Sequence, residues 1–164
     1  FVQRCGLGLD FGYTNDPTAG IFCGVYGNTL YLDEICYNTH MGSGDIIKAL
    51  RQYSSFDITA DSADPRLIDE LRAGGLRVSP VVKGAGSVIA GINKMLEMDI
   101  CITARSKNLQ YELDNYCWAK DKDGQYTNDP IDANNHLIDA TRYYILRNIL
   151  GWSGTQRRSY EGIF

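Results

Sequence analysis

Apolar positions along the first forty residues come in short runs broken by glycine, and the period then lengthens to three or four. From Cys5, "CGLGLDFG" reads as a short buried strand that ends in glycine. "TAGIFCGVYG" and "TLYLDEICYN" read as two more strands, joined by the turn pair Gly27-Asn28. Such tight connections give an antiparallel meander. The segment 44–53, "GDIIKALRQY", has helical spacing with Asp45 as its start, and "DITAD" at 57–61 is a strand that stops before Pro65. In "PRLIDELRAGG" proline stands at the first helical turn and a glycine pair just past the last. "LRVSPVVK" predicts a strand, "SVIAGINKMLEMD" a helix and "ICITA" a strand. A helix is predicted over 107–121, with Leu109, Leu113, Tyr116 and Cys117 on one face, then a polar turn, then a last helix over 134–150.

Three antiparallel strands followed by alternating helices and strands predict an α/β fold: a mixed central sheet, antiparallel and then parallel, flanked by helices. Residues 1–152 form the expected domain, and 153–164 a Gly/Ser/Arg-rich tail. A chain of 164 residues, 44% hydrophobic and 22% charged, suits one core. Its apolar runs are too short to cross a bilayer, and it opens on Phe1, as expected of a domain cut from a longer protein. The five cysteines have no C-x-x-C spacing, which speaks against zinc, and most fall in predicted strands as small apolar residues. A net charge of −4 argues against strong autonomous binding to nucleic acid, so phosphate contacts must come from local basic residues.

One residue breaks the apolar pattern of the last helix. In "NNHLIDATRYYIL", Asp139 shares a side with Tyr143, Leu146 and Leu150, with His136 one turn earlier. A carboxylate there needs a cation, a metal or a cleft. Asp10 ends the first strand in "GLDFG", and Asp61 ends the fourth in "TADSADP". If those strands are parallel neighbours, their carboxylates share one rim that Asp139 can reach from above. Three carboxylates converging without a matching Lys or Arg are expected to hold a pair of divalent cations, Mg²⁺ or Mn²⁺ by the hardness of the donors. Asp16 can reach the same cleft from the next loop, and His136 can assist a water or contact a phosphate.

The ordered segments "GLDFGYTNDPTA", "ADSADPRLIDEL", "VVKGAGSVIAGINKM", "YCWAKDKDGQ" and "NNHLIDATRY" resemble the C-terminal nuclease domain of tailed-phage terminase large subunits, across nearly the whole chain. The most specific element is H-x-x-D-A-x-R-Y in the last helix. The resemblance implies an RNase H-like fold and a two-metal endonuclease that cuts concatemeric double-stranded DNA. It puts the metal-binding carboxylates on Asp10, Asp61 and Asp139, the auxiliary acid on Asp16 and the catalytic histidine on His136. Many relatives carry Asp just before that histidine, where this chain has Asn135; Asp132 is read as a pre-helix cap. The implied partners are an N-terminal packaging ATPase domain, whose Walker A loop is not in this chain, together with portal and small terminase subunit. The implied location is the cytoplasm of the bacterial host, without a membrane.

Lys83, Ser87, Arg105, Lys107 and Arg142 are the candidate DNA contacts. Asp64 before Pro65 reads as a helix cap, Trp118 as a packing residue and His40 as inert; Arg157 and Arg158 in the tail are a further phosphate or partner contact. Other classes compete. A resolvase or integrase of the same fold would use the same carboxylates. An actin-like half would cradle phosphate with "LDFGYT" but needs a longer chain, and a non-catalytic docking module has no use for the three acids.

Overall fold

The computed structural model describes residues 4–153. Its centre is a six-stranded sheet built from β1 (Arg4–Asp10), β2 (Thr18–Tyr26), β3 (Thr29–Asn38), β4 (Asp57–Ala60), β5 (Arg77–Pro80) and β6 (Asp99–Ile102), in the order β5-β4-β1-β2-β3-β6. β1, β2 and β3 form the antiparallel meander, β4 and β5 add in parallel beside β1, and β6 adds in parallel beside β3. The mixed α/β sheet expected from the sequence is therefore present. Helices α1 (Ser43–Leu50) and α2 (Pro65–Ala73) cover one face, while α3 (Ser87–Glu97), α4 (Lys107–Asn115) and α5 (His136–Asn148) gather on the other.

Alternation along the strands sorts the two cores. Leu7 and Leu9 point to the α1/α2 side with Ile46, Leu50, Ile58 and Leu71; Ala19, Ile21, Cys23 and Val25 point to α5 with Leu137, Ile138, Tyr144 and Ile145. Gly8 and Asp10 share the α5 face with them, by the period of two. A Cβ on Gly8 would run into the backbone carbonyl of Ala140, so glycine there lets α5 lie directly on β1. That contact sets the height of the helix carrying His136 and Asp139.

Element boundaries depart from the sequence reading where local chemistry intervenes. α1 starts at Ser43 rather than at Asp45, because Asp45 is the third residue of the helix and accepts a hydrogen bond from Gly42 N at 3.0 Å. Asp64 caps α2 as expected, accepting from Leu67 N at 3.0 Å. The helix expected to run to 121 stops at Asn115. Trp118–Lys120 is instead a strand, β7, in a hairpin with β8 (Tyr126–Pro130), and Trp118 is part of that hairpin. The last helix starts at His136, since Asn134 holds φ at 52° and Asn135 is the N-cap. Cys23 and Cys36 are buried, but Cys5, Cys101 and Cys117 are exposed, so most of the cysteines are not core residues. Residues 154–164, with Arg157 and Arg158, lie outside the described residues.

Candidate active site

β1 and β4 run parallel as neighbours, and the ladder continues one step beyond β4, where Asp61 N donates to Leu9 O at 2.9 Å. Asp10 and Asp61 therefore leave the sheet side by side at the carboxyl ends of adjacent strands, with the first turns of α5 above them. His136 Nδ1 stands 3.2 Å from Asp10 Oδ2, and its Nε2 stands 3.6 Å from Asp16 Oδ1. The imidazole thus bridges the strand-end carboxylate and the loop carboxylate. The Tyr143 hydroxyl donates to the other oxygen of Asp10 at 3.2 Å. Sequence reasoning placed Tyr143 on the face of Asp139 but gave it no role.

The expectation that the acids converge without basic partners is corrected by the geometry. Arg142 Nη2 donates to Asp139 Oδ1 at 2.8 Å, and Lys83 Nζ donates to Asp61 Oδ1 at 2.7 Å. Arg142 reaches across one turn of the same helix, whereas Lys83 arrives from the segment after β5, the strand beside β4. Its ammonium also lies 4.9 Å above the Tyr143 ring. Asp61 Oδ1 accepts from Ala63 N at 3.2 Å as well, so the turn role considered for Asp61 coexists with its place in the cluster. Four candidate site residues, Asp10, Asp61, Asp139 and His136, meet at one locus, with Asp16 at its rim.

The five candidate DNA contacts separate. Lys83 and Arg142 belong to the acidic cluster, and Arg142 is buried. Ser87 is buried at the start of α3, with its N–H donated to Gly84 O. Arg105 pairs with Asp33, which sits opposite Phe22 on the α1/α2 side of the sheet. Lys107 is exposed at the start of α4.

Charge and burial set the proton affinities. Burial holds the Asp10 carboxyl above the usual carboxylate range; the His136 hydrogen bond opposes that, and Asp139 and Asp61 add to it. Burial likewise raises Asp139 against the pull of Arg142. The His136 imidazole is raised, first by its hydrogen bond to Asp10, with burial opposing and the charges of Asp10 and Asp16 adding. Tyr143 is pushed far up by burial and by the carboxylates beside it, and it remains a donor.

The donor set suits a hard divalent cation in kind. Its atoms are carboxylate oxygens, and the hydrogen bonds of Asp61 and Asp139 gather on Oδ1 of each, which leaves a second oxygen as ligand. Among the described residues no three His, Cys, Asp or Glu side chains stand close enough to hold an ion as placed. Ligation of one ion by three of these groups therefore requires their approach.

The family model described as "Terminase RNAseH like domain" matches residues 10–146. The chain belongs to the terminase RNase H-like domain family. It is 35% identical over 155 residues to the terminase large subunit of Bacillus phage SPP1, covering 87% of this chain and 36% of that protein. It is 29% identical over 141 residues to the PBSX phage terminase large subunit of Bacillus subtilis, covering 83% and 33%. This chain therefore spans about a third of the length of those relatives. Among solved structures, the SPP1 g2p large terminase nuclease domain with bound Mn superposes at a TM-score of 0.83 with 32% identity, over 90% of this chain and 88% of that one. The large terminase nuclease of thermophilic phage G20c with bound magnesium gives a TM-score of 0.62 at 17% identity, over 85% and 78%, a likeness of fold. The RNase H-like terminase fold read from the sequence is thus the family's own. No helix among the described residues is long and apolar enough to cross a membrane.

One residue at this site was missed outright. The N-cap Asn135 makes no side-chain cap to α5, and Asp132 Oδ1 reaches only the Asn135 amide, at 3.4 Å, so Asp132 does not have the capping role expected of it. The cap is Glu112, from the middle of α4. Its Oε1 accepts from His136 N at 3.0 Å, and its Oε2 from Leu137 N at 2.8 Å and Ile138 N at 3.0 Å. Its spacing was the signal, since Glu112 falls three residues after Leu109 on the buried face of its helix.

Proposed function

We propose that this terminase domain is a divalent-metal-dependent endodeoxyribonuclease that cleaves concatemeric double-stranded DNA during phage genome packaging, with residues 1–152 as its functional unit. The observation that carries the reading is the meeting of Asp10, Asp61 and Asp139, from two adjacent strand ends and the helix above them, in a member of this family. Asp10, Asp61 and Asp139, with Asp16 at the rim, would hold two Mg²⁺ or Mn²⁺ ions. Bound there, such ions supply an activated water and charge stabilisation at the phosphodiester.

The chain's own residues do the rest. His136, held between Asp10 and Asp16, is placed to assist a water or to contact the scissile phosphate through a ring nitrogen. Tyr143 fixes the rotamer of Asp10 by donating to Oδ1. Arg142 neutralises Asp139 and keeps the buried acid in place. Lys83, with 42% of its side chain exposed, is the candidate DNA contact positioned to meet a phosphate next to Asp61. Lys107 and Arg105 remain proposed contacts at a distance from the acids, whereas Ser87 is buried and is not offered to DNA. The partners are double-stranded DNA, a packaging ATPase domain of the same protein, portal and small terminase subunit, in the cytoplasm of the bacterial host.

Cleavage of supercoiled plasmid in Mn²⁺ tests the reading. Asp61→Asn should abolish nicking while changing stability by less than about 1 kcal/mol, because its ion pair with the half-exposed Lys83 is screened. Nicking at the wild-type rate would remove Asp61 from the mechanism.

A further inference from the structure

The first three amides of α5 point at one buried carboxylate supplied by another helix, and the same device recurs one step back in the chain. Glu34 of β3 accepts from Asn108 N and Leu109 N, each at 3.1 Å, at the start of α4. α4 in turn carries Glu112, which closes the start of α5 with three hydrogen bonds while only 1% of the residue is exposed. Sheet, α4 and α5 are thereby coupled through two carboxylate caps in series.

A helix start is a natural seat for an anion, since its first N–H groups lack partners within the helix. Glu112 fills that seat with its own carboxylate, which leaves no place there for a DNA phosphate. The capped amides belong to His136, Leu137 and Ile138, and Asp139 follows directly. Rotation or rise of the first turn would move His136 away from Asp10, and Asp139 away from the strand ends.

We infer that Glu112 is a positioning residue of the active site: by capping α5 from α4 it fixes the placement of His136 and Asp139 relative to Asp10 and Asp61. This inference rests on the metal-site reading above for its effect on ion binding, and on the hydrogen bonds alone for its effect on the helix.

The test compares Glu112→Ala and Glu112→Gln with Leu71→Ala, a core truncation in α2 on the opposite face of the sheet. Two quantities are read on folded protein: hydrogen exchange of the amides of residues 136–139 in EDTA, and affinity for Mn²⁺ by calorimetric titration. Glu112→Ala should speed exchange in that first turn and weaken Mn²⁺ binding by about tenfold or more, as loss of a supporting partner does at metal sites. Glu112→Gln, which keeps one acceptor oxygen, should fall between Glu112→Ala and wild type, and it serves if the alanine variant does not fold. Leu71→Ala should keep both readouts at wild-type values. Unchanged first-turn exchange in Glu112→Ala, or Mn²⁺ affinity equal to that of Leu71→Ala, would overturn the inference. If wild type itself binds no Mn²⁺, the metal reading fails, and amide exchange alone then decides whether Glu112 holds the helix.

Discussion

Arg142→Met isolates the electrostatics of the buried acid. Asp139 and Arg142 have side chains only 18% and 7% exposed, and their charges meet at 2.8 Å, so each is the other's main compensation. Methionine keeps most of the aliphatic stem that packs against Gly91, where a Cβ would come within 3.0 Å of Arg142 Cγ, so packing changes little. The substitution leaves a carboxylate buried without a counter-charge, which costs about 3–5 kcal/mol. For a chain of this size each kcal/mol moves the melting temperature by about 2–4 °C, so circular dichroism in EDTA at neutral pH should record a fall of roughly 6–20 °C. The loss should shrink in acid. Burial already raises the Asp139 carboxyl, and Arg142 opposes that shift, so removing Arg142 raises it further. A carboxyl whose folded pKa exceeds its unfolded value, about 3.9, destabilises the fold increasingly as pH rises between the two. The double variant Asp139→Leu/Arg142→Met removes both charges and should recover most of the loss. A single variant that loses less than about 1 kcal/mol, or a double variant less stable than the single, would refute a buried, mutually compensating pair.

Three further outcomes follow from the packing and the titrations. Leu146, fully buried, should cost about 2–5 kcal/mol when truncated to alanine in a urea titration, without altering Mn²⁺-dependent stabilisation. Gly8→Ala pushes a methyl into the backbone of Ala140 and should cost at least about 1–3 kcal/mol while reducing cleavage, because α5 must lift with its two site residues; wild-type stability would contradict the contact. His136, raised by Asp10, contributes stability that is full below its unfolded pKa of about 6.5 and is lost as pH rises through the folded value. The melting-temperature gap between wild type and His136→Gln in EDTA should therefore narrow with rising pH, and a constant gap would argue against a charged ring.

Much of the site was legible because strand ends and helix periodicity are local. Asp10 and Asp61 follow short apolar runs, and their adjacency needed only the parallel pairing of β1 with β4. Asp139 was visible as a charge on an apolar face. Its partner was also visible in principle, since Arg142 stands three residues later on the same helix. The pairing of Lys83 with Asp61 and the capping of α5 by Glu112 were not, because both depend on elements brought together by the fold across 22 and 24 residues. The hairpin of β7 and β8 was hidden by Tyr116, Cys117 and Trp118, which prolong the helical pattern of α4, although Asp123-Gly124 between Trp118 and Tyr126 is a turn pair suited to a hairpin.

Anomalous diffraction from a crystal soaked in Mn²⁺ tests the central claim most directly. The account predicts manganese peaks among Asp10, Asp61 and Asp139, with the carboxylates drawn together and Lys83 displaced from Asp61 Oδ1. Peaks confined to other surfaces, with the Lys83 and Arg142 pairs undisturbed at saturating Mn²⁺, would contradict it.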